Sequence, residues 1–279
     1  MYSAIGKKIV TKKDIINGLT QMGLRSGMIV EVHSSLSSFG YVVGGAQTIV
    51  DALMEVITPA GTIIMPYQTC DNSEPSLWVN PPVEPESYKY IRENMPAYSR
   101  SGSDARNMGS VVENFRKRSD IVFSNHPQNS YIAWGQYAKA LCNRQSLHFS
   151  LSQESPCARL YELKGFILLL GVNYDRATAM HLAEYRTECR PIVIQGSKVE
   201  LDGYVQWKKY LDLDLDSDIF NNVGKVMEDK KMVAFNTIGE SKVKLFRADM
   251  AIDEATAYFE KFICYDAVSY THLTLPTRS

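Results

Sequence analysis

The chain lacks the features that place a protein in a membrane, on a nucleic acid or outside the cell. No apolar run approaches the roughly 20 residues of a membrane-spanning helix. Residues 1–10 contain no apolar stretch of the kind found in a signal peptide. The formal net charge is −1, whereas a nucleic-acid-binding protein usually carries a basic excess. We therefore expect a soluble, cytoplasmic protein whose partners are neither membranes nor nucleic acids.

Cysteine and histidine are scarce, and neither occurs at the spacing of a metal site. The cysteines are scattered and include no CxxC pair, which indicates reduced thiols rather than a disulfide framework or a cysteine zinc site. The histidines form no HExxH motif and no close His-x-His pair, so we predict that the protein holds no metal. The five cysteines are Cys70, Cys142, Cys157, Cys189 and Cys264.

Two common enzyme signatures are also missing. The absence of a GxSxG motif argues against a serine hydrolase, and the absence of a GxxxxGK[ST] motif argues against a nucleoside triphosphatase. What is present is ordinary for a soluble globular enzyme: 279 residues, 45% hydrophobic and 22% charged. This length is sufficient for one large domain or two small ones.

The N-terminal part of the chain reads as helix, strand, loop, helix and strand. Thr11 and Asp14 have the spacing of a capping box, and the helix that they open continues to a glycine. An apolar strand at 28–33, a helix at 46–57 and a second strand at 62–65 follow. A βαβ unit preceded by a helix predicts an α/β fold.

The loop between the first strand and its helix is rich in serine and glycine. Its backbone N–H groups and hydroxyls can donate hydrogen bonds, and the helix that follows adds an N-terminus, which together suit a phosphate or pantetheine group. A solvated loop of small residues is the alternative interpretation. The residues that could form such a cradle are Ser34, Ser35, Ser37, Ser38, Phe39, Gly44 and Gly45.

A second strand, at 166–172, feeds a polar loop in which Thr178 is placed to cap the next helix. His181 and Glu184 in that helix are three residues apart and share one face, as a base and its orienting carboxylate would. A solvated polar helix face has the same spacing. His33 occupies the equivalent end of its own strand, so the two histidines could meet in one crevice.

The remainder of the chain is mixed in texture. Residues 66–105 are long and irregular, and Asp202–Gly203 between two extended runs predicts a hairpin. Residues 211–218 alternate leucine and aspartate, which would place carboxylates along one side of a strand. We expect one domain over 1–264, with a β-rich subregion at 190–250, and we interpret 265–279 as non-native or disordered.

Seven stretches of the chain occur in the order typical of one enzyme family. The chain resembles the aminoglycoside 3-N-acetyltransferases, also called antibiotic N-acetyltransferases, from near its start to about Phe262. The stretches that carry this resemblance are VHSSLSSFGYVVGGAQTIVDAL (32–53), GTIIMPYQT (61–69), PSLWVNPPVEPESY (75–88), RNMGSVVENFR (106–116), SNHPQNSYIAWG (124–135), SPCARLYELKGFILLLGV (155–172) and HLAEYR (181–186).

The resemblance implies a central mixed sheet with helices on both faces and a smaller β-rich C-terminal portion that completes the active-site cleft. It implies acetyl transfer from acetyl-CoA to the 3-amino group of a 2-deoxystreptamine aminoglycoside, by a monomer or homodimer. His181, Glu184 and His33 would be catalytic. The Ser/Gly loop would bind CoA together with Ser103, Met108, Gly109 and His126. The antibiotic would contact Tyr67, Asp71, His148, Asp212 and Asp214.

The chemistry agrees with these implied roles. An ammonium cannot attack a thioester, and histidine, with an ordinary pKa of about 6.5, is well suited to remove its proton at neutral pH. We expect direct transfer rather than an acyl-cysteine, because nothing in the sequence places a base beside a cysteine. Two alternatives remain open. The protein could acetylate another amine, or it could bind a cationic ligand without chemistry.

Overall fold

The computed structural model describes residues 3–4, 6–69, 71–100, 102–105 and 108–262. The tail that we interpret as non-native lies outside these residues. The strands are β1 (Ser3–Ala4), β2 (Lys7–Val10), β3 (Ile29–Ser34), β4 (Tyr41–Val42), β5 (Thr62–Gln68), β6 (Val122–Phe123), β7 (Asn129–Gly135), β8 (Phe166–Leu170), β9 (Ile192–Leu201), β10 (Tyr204–Leu213), β11 (Ala234–Ile238) and β12 (Ser241–Arg247).

The helices alternate with these strands through most of the chain. The predicted capping box is present in the first helix, where the Thr11 hydroxyl accepts the Asp14 N–H and the Asp14 carboxylate accepts the Thr11 N–H. The helices are α1 (Lys12–Gln21), α2 (Gly45–Ile57), α3 (Tyr88–Asn94), α4 (Gly109–Phe115), α5 (Ala138–Cys142), α6 (Pro156–Glu162), α7 (Leu182–Tyr185), α8 (Phe220–Asp229) and α9 (Ala248–Phe262).

The central sheet has seven strands in the order β11-β12-β8-β3-β5-β7-β6. Strand β3 runs parallel to both of its neighbours, β8 and β5, whereas β7 and β12 pair antiparallel. In the β3–β8 register His33 lies opposite Leu169 and Ser34 opposite Leu170. The chain segments that follow these two strands therefore leave the sheet at the same edge.

Side chains of the central strands alternate between two hydrophobic cores. In β8, Ile167 and Leu169 pack in the core that contains residues of α6 and α9, whereas Leu168 and Leu170 pack in the core that contains residues of α1 and α2. A strand buried on both sides needs helices on both sides, because each face must be removed from water. The predicted mixed sheet with helices on both faces is confirmed.

The β-rich C-terminal region divides into two parts. Strands β9 and β10 form a separate two-stranded antiparallel sheet, with the predicted turn at Asp202–Gly203. Strands β11 and β12 instead extend the central sheet, because β12 pairs with β8. The region at 190–250 is therefore a hairpin plus one edge of the main sheet.

The alternating aspartates do not lie along one strand, as the pattern predicted. Strand β10 ends at Leu213, and the chain then becomes a loop in which the Asp216 N–H donates to Glu184 and the Asp218 N–H donates to Asp216. Asp212 is buried, whereas Asp214, Asp216 and Asp218 are exposed. Because the N–H groups of Asp216 and Asp218 bond to carboxylates, they do not pair with a neighbouring strand. The aspartates after Leu213 therefore do not line one side of a strand.

The helix predicted from Thr178 begins later than expected. Residues Thr178–His181 form a 3₁₀ turn and α7 starts at Leu182. The Thr178 hydroxyl does not cap a helix but donates to the Arg176 carbonyl at 3.5 Å. His181 and Glu184 nevertheless come into contact across this change of helix type, as their spacing predicted.

Two remaining expectations concern the thiols and the membrane. Cys142 and Cys157 are free and buried, but Cys189 is disulfide-bonded, which corrects the expectation of reduced thiols throughout. Sequence spacing alone does not reveal which cysteines meet in space.

In the part of the chain that the structure describes, no helix is both long and apolar enough to span a bilayer.

His126 is completely buried beneath the β10 strand, near Asp212 and Tyr210. Its Nδ1 accepts the backbone N–H groups of Gln128 and Asn129 at 3.1 and 2.9 Å, so the ring proton lies on Nε2, 3.2 Å from the Leu147 carbonyl. Burial lowers the pKa of His126 from 6.5 to about 4, because an imidazolium there would lose its hydration. The structure thus gives His126 a role in the interior rather than in a CoA groove.

Acid should destabilise the protein through His126. Its folded-state pKa of about 4 lies below the unfolded value of 6.5, so the unfolded chain binds the extra proton in that window and stability falls as the pH is lowered through it. We expect this residue to remove about 2 kcal/mol between about pH 7 and about pH 5. Urea unfolding should be less pH-dependent in His126→Asn than in the parent, whereas the exposed His148→Asn should keep the parent's slope. Equal slopes in all three would contradict the prediction.

Two glycines with positive φ form a matched test of packing. Gly135 has φ +108° and a Cβ there would lie 2.1 Å from the Gly61 carbonyl oxygen, whereas Gly203 has φ +80° and open space around it. Gly203→Ala should cost about 1–2 kcal/mol in the free energy of unfolding, from conformation alone. Gly135→Ala should cost at least about 2 kcal/mol more, because β5 and β7 must separate. Equal losses in urea unfolding would contradict the packing argument.

Candidate active site

A cleft of about 930 Å³ opens at the sheet edge where β3 and β8 end. The predicted meeting of the two strand-end histidines occurs here, since His33 and His181 both line the cleft. The other predicted site residues that line it are Ser34, Ser35, Ser37, Gly45, Met108 and Gly109. The parallel pairing of β3 with β8 brings these distant stretches of sequence together.

His181 and Glu184 form the most developed polar pair of the cleft. The Nδ1 of His181 is bonded to Oε2 of Glu184, and the imidazole packs edge-on against Phe220 with ring centroids 4.9 Å apart. Glu184 accepts a hydrogen bond from the Nδ1–H of His181, which fixes the ring in one tautomer. Nε2 is then the nitrogen that can take a proton from a molecule in the cleft.

Glu184 is fully buried, and its second oxygen is neutralised by a group that the sequence reading missed. Arg190 Nε lies 2.6 Å from Oε1, and the Asp216 N–H donates to the same oxygen at 3.0 Å. A buried carboxylate without a cation would favour its neutral form. Arg190 and the Asp216 N–H therefore satisfy Oε1 of Glu184, which leaves Oε2 for His181. Arg190 carries no sequence signal beyond being a basic residue close to the pair.

His33 is nine-tenths buried, at the end of β3. Its Nε2 lies 3.0 Å from Oε2 of Glu31, which is two residues earlier on the same strand face and is fully buried. The ring N–H is not aligned for a regular hydrogen bond to that oxygen, so the contact is electrostatic. The sequence reading also missed Glu31, because a single glutamate in an apolar strand carries no pattern.

The Ser/Gly loop contributes its outer residues to the cleft and its inner residues to the fold. Ser38 donates to the Ser35 carbonyl at 2.7 Å and to the Ser241 hydroxyl at 2.9 Å, and Phe39 is completely buried in a core. Gly44 adopts a left-handed conformation, with φ 81°, directly before α2. These three residues shape the loop but do not line the cleft.

The segment that leads into α4 is likewise divided between residues that line the cleft and residues that do not. Met108 and Gly109 line the cleft, but Ser103 does not; its carbonyl accepts the Tyr67 hydroxyl at 2.6 Å. Tyr67 is itself fully buried in a core. The structure thus uses Tyr67 to anchor this segment, and its ring is not exposed to a substrate.

The predicted antibiotic contacts lie outside the cleft lining. Asp212 is buried and accepts hydrogen bonds from Tyr185 and from Ser150. His148 is exposed and its Nδ1 accepts the Leu211 N–H at 3.1 Å. Asp71 and Asp214 are exposed. Asp71 lies in the irregular 66–105 region, and Asp214 follows a strand that ends earlier than expected, so sequence order maps poorly onto geometry at both positions.

Loops after strands supply cleft residues that the sequence reading did not select. Asp175 and Arg176 follow β8 and are paired at 3.1 Å, and Gln68, Ser110 and Ser217 also line the cleft. The signal that could have found the first pair is position, because loops after parallel strands form ligand crevices.

Cys157 is a free thiol whose Sγ lies 4.0 Å from the carbonyl of the cleft-lining Thr178, but it is inaccessible. It is 1% exposed, and burial raises its pKa to about 12. A thiol that stays protonated and enclosed is a poor nucleophile. Over the described residues, no group of three or more histidine, cysteine or acidic side chains is arranged to hold a metal ion.

Known proteins share both the sequence and the fold. A family model described as aminoglycoside 3-N-acetyltransferase matches residues 32–260. The SPbeta prophage-derived aminoglycoside N(3')-acetyltransferase-like protein YokD of Bacillus subtilis (strain 168) is 40% identical over 250 residues, covering 89% of this chain and 92% of that protein. The crystal structure of YokD matches with a TM-score of 0.88 at 39% identity, over 92% of this chain and 95% of that chain.

More distant relatives include a named acetyltransferase and two ligand-bound structures. Aminoglycoside N(3)-acetyltransferase VII of Streptomyces paromomycinus is 28% identical over 90% of this chain and 92% of its own length. AAC-VIa bound to sisomicin matches with a TM-score of 0.80 at 26% identity, over 90% of this chain and 97% of that chain. AAC-IIIb, solved as a binary complex with CoASH, shares the fold at a TM-score of 0.81, over 91% of this chain and 98% of that chain. Since the family model spans most of its length, the chain belongs to the aminoglycoside 3-N-acetyltransferase family.

Proposed function

We propose that the protein transfers an acetyl group from acetyl-CoA to the 3-amino group of a 2-deoxystreptamine aminoglycoside, which confers resistance to that antibiotic. The observation that carries the proposal is the array of His181, Glu184 and Arg190, whose imidazole faces the cleft. Membership of the family supports the reaction class. A relative bound to sisomicin supports the acceptor class.

His181 acts as the general base of this reaction. Its Nε2 takes a proton from the acceptor ammonium, and the free amine attacks the thioester carbonyl carbon. The tetrahedral intermediate loses the second proton of its nitrogen to solvent and then collapses with cleavage of the carbon–sulfur bond. The proton on His181 passes to the departing thiolate, so that CoA leaves as a thiol. Glu184 stabilises the imidazolium that exists between these steps.

The acetyl donor is held by the cleft-lining part of the Ser/Gly loop and by Met108 and Gly109. Ser35 and Ser37 present hydroxyls 3.2 Å apart, and Gly45 opens the 13-residue helix α2, whose N-terminus favours phosphate. Small residues allow the backbone to approach a ligand closely. No metal takes part in the mechanism that we propose.

Transfer is direct, within a complex that contains both substrates. An acyl-cysteine route would need an accessible thiolate, and both free cysteines among the described residues, Cys142 and Cys157, are buried with their pKa raised to about 12. We also propose that residues 1–264 work as one acetyltransferase domain. Ser217, within the β-rich subregion at 190–250, contributes to the cleft wall.

One observation favours a second acceptor class, an amine with fewer positive charges. Among the described residues that line the cleft, Asp175 carries the only carboxylate, and Arg176 lies 3.1 Å from it. A polycationic antibiotic would be better held by several unpaired carboxylates. The exposed aspartates of the 214–218 loop, close to Ser217, are the acidic groups nearest in sequence to this wall.

The base assignment is tested by thiol release from acetyl-CoA in His181→Ala and Glu184→Gln. We expect kcat to fall at least about 100-fold in the first variant, because the proton acceptor is lost, and by a smaller factor in the second. Aminoglycoside affinity should be kept in both. The matched control is Glu254→Gln on α9. This change removes a carboxylate whose Oε2 lies 2.7 Å from Lys230 Nζ. An unchanged kcat in folded His181→Ala would contradict the base.

The acceptor is tested by offering gentamicin-like aminoglycosides, neomycin-like aminoglycosides and simple monoamines separately. The proposal expects thiol release that depends on an aminoglycoside, with the acetyl group mapped to the 3-amino nitrogen by NMR. A higher kcat/KM with monoamines would favour the second acceptor class. Aminoglycoside binding without thiol release would contradict acetyl transfer to these drugs and would favour a protein that only sequesters cations.

A further inference from the structure

Glu31 is a completely buried carboxylate that lies directly beneath the cleft. It is in the middle of β3, two residues before His33, so both side chains project from the same face of the sheet. All other residues of this strand before His33 are apolar, namely Ile29, Val30 and Val32. A glutamate in such a strand must be compensated by its neighbours.

Three groups converge on the two oxygens of Glu31. The Tyr131 hydroxyl donates to Oε1 at 3.2 Å, and the Ala179 backbone N–H donates to Oε2 at 3.3 Å. His33 Nε2 lies 3.0 Å from Oε2. The backbone N–H can only donate, so the oxygen that it meets must accept. Both oxygens of Glu31 therefore act as hydrogen-bond acceptors.

The charge of this carboxylate has one nearby partner. Within the described residues, His33 is the only basic side chain within 4.0 Å of a Glu31 oxygen. A buried carboxylate is retained in its ionised form when a cation and hydrogen-bond donors are close. Glu31 therefore fixes which edge of the His33 ring faces the interior, and the ring keeps one orientation in the cleft wall.

Glu31 also reaches the segment that carries the other histidine. Ala179 lies in the 3₁₀ turn Thr178–His181, two residues before His181. Oε2 of Glu31 thus contacts both the ring of His33 and the backbone N–H of Ala179, which precedes His181 in the same turn. A change at Glu31 would act on both histidines at once, although Glu31 itself does not line the cleft.

We propose that Glu31 is a positioning residue that holds the His33 ring in one orientation against the cleft and anchors the turn before His181. His33 then keeps a fixed place in the cleft wall, where its ring can hydrogen-bond a substrate as charge develops during amine attack. This inference rests on the proposed acetyl transfer, and it assigns Glu31 to the same reaction without direct contact between Glu31 and either substrate.

A purely structural Glu31 makes a different prediction. Buried ion pairs often contribute little to stability, and a neutral isostere can be tolerated or even stabilising. If Glu31 serves catalysis, its loss should lower turnover while the protein remains as stable as before. If Glu31 serves only the fold, its replacement should change Tm, and kcat should fall only where the protein is partly unfolded.

The first measurement compares Glu31→Gln with the parent in kcat, in KM for each substrate and in Tm. We expect kcat to fall at least about tenfold, with both KM values within about threefold and with Tm unchanged or higher. The matched control is Glu74→Gln, a second buried glutamate whose basic partner, Arg92, lies away from the cleft. This control should keep the parent's kcat, whatever its effect on Tm. A Glu31→Gln enzyme with the parent's kcat would overturn the proposal.

The second measurement is a double-mutant cycle with His33→Asn, which keeps a polar atom near Nδ1 and removes Nε2. If Glu31 acts through His33, Glu31→Gln should lower kcat by less than about threefold in the His33→Asn background, because the two losses are not additive. The parent, the two single variants and the double variant are also compared in urea unfolding. If the two side chains contact each other, their effects on the free energy of unfolding should be non-additive, and if they are independent, these effects should add.

The unfolding cycle does not depend on turnover, which separates failure of this inference from failure of the proposed function. If the parent enzyme acetylates no amine, the proposed function falls, and coupling in unfolding alone decides whether Glu31 positions His33. If the parent is active and the losses in kcat are additive, the proposed function stands and the positioning role of Glu31 is overturned.

Discussion

The parallel pairing of β3 with β8 is the constraint on which the rest of the site depends. These strands are separated by more than a hundred residues of sequence, yet their register places His33 opposite Leu169 and the Ser/Gly loop opposite the segment that leads to His181. Parallel strands must leave a sheet at the same edge. Apolar side chains on both faces of β8, packed beneath helices on both sides, hold that register.

Buried charge is the second organising feature. Two carboxylates with no exposed surface, Glu31 and Glu184, lie behind the two histidines of the cleft. Each is compensated differently, since Glu184 has Arg190 and one backbone N–H, whereas Glu31 has His33, the Tyr131 hydroxyl and one backbone N–H. The electrostatic attraction between a carboxylate and a neighbouring N–H group is stronger in the protein interior than in water. This arrangement lets a small number of residues control where protons lie.

Sequence patterns identified the elements better than the individual contacts. The capping box of α1, the Asp202–Gly203 turn and the contact between His181 and Glu184 all follow from local spacing and were found. His126 and Tyr67 carry the same polar groups as cleft residues but are buried in the interior. Whether a histidine faces a core or a crevice depends on which distant segment covers it, and local spacing contains no such information.

The amino-acid sequence by itself determined the α/β class, the order of most elements and the family, because periodicity, caps and long motifs are local properties of the chain. Only the tertiary structure decided that Glu31 and Arg190 stand behind the histidines, that Asp212 is buried and that Asp175 faces the cleft beside Arg176. These facts depend on which charges meet after strands far apart in sequence pair, and on the burial that makes each charge need a partner.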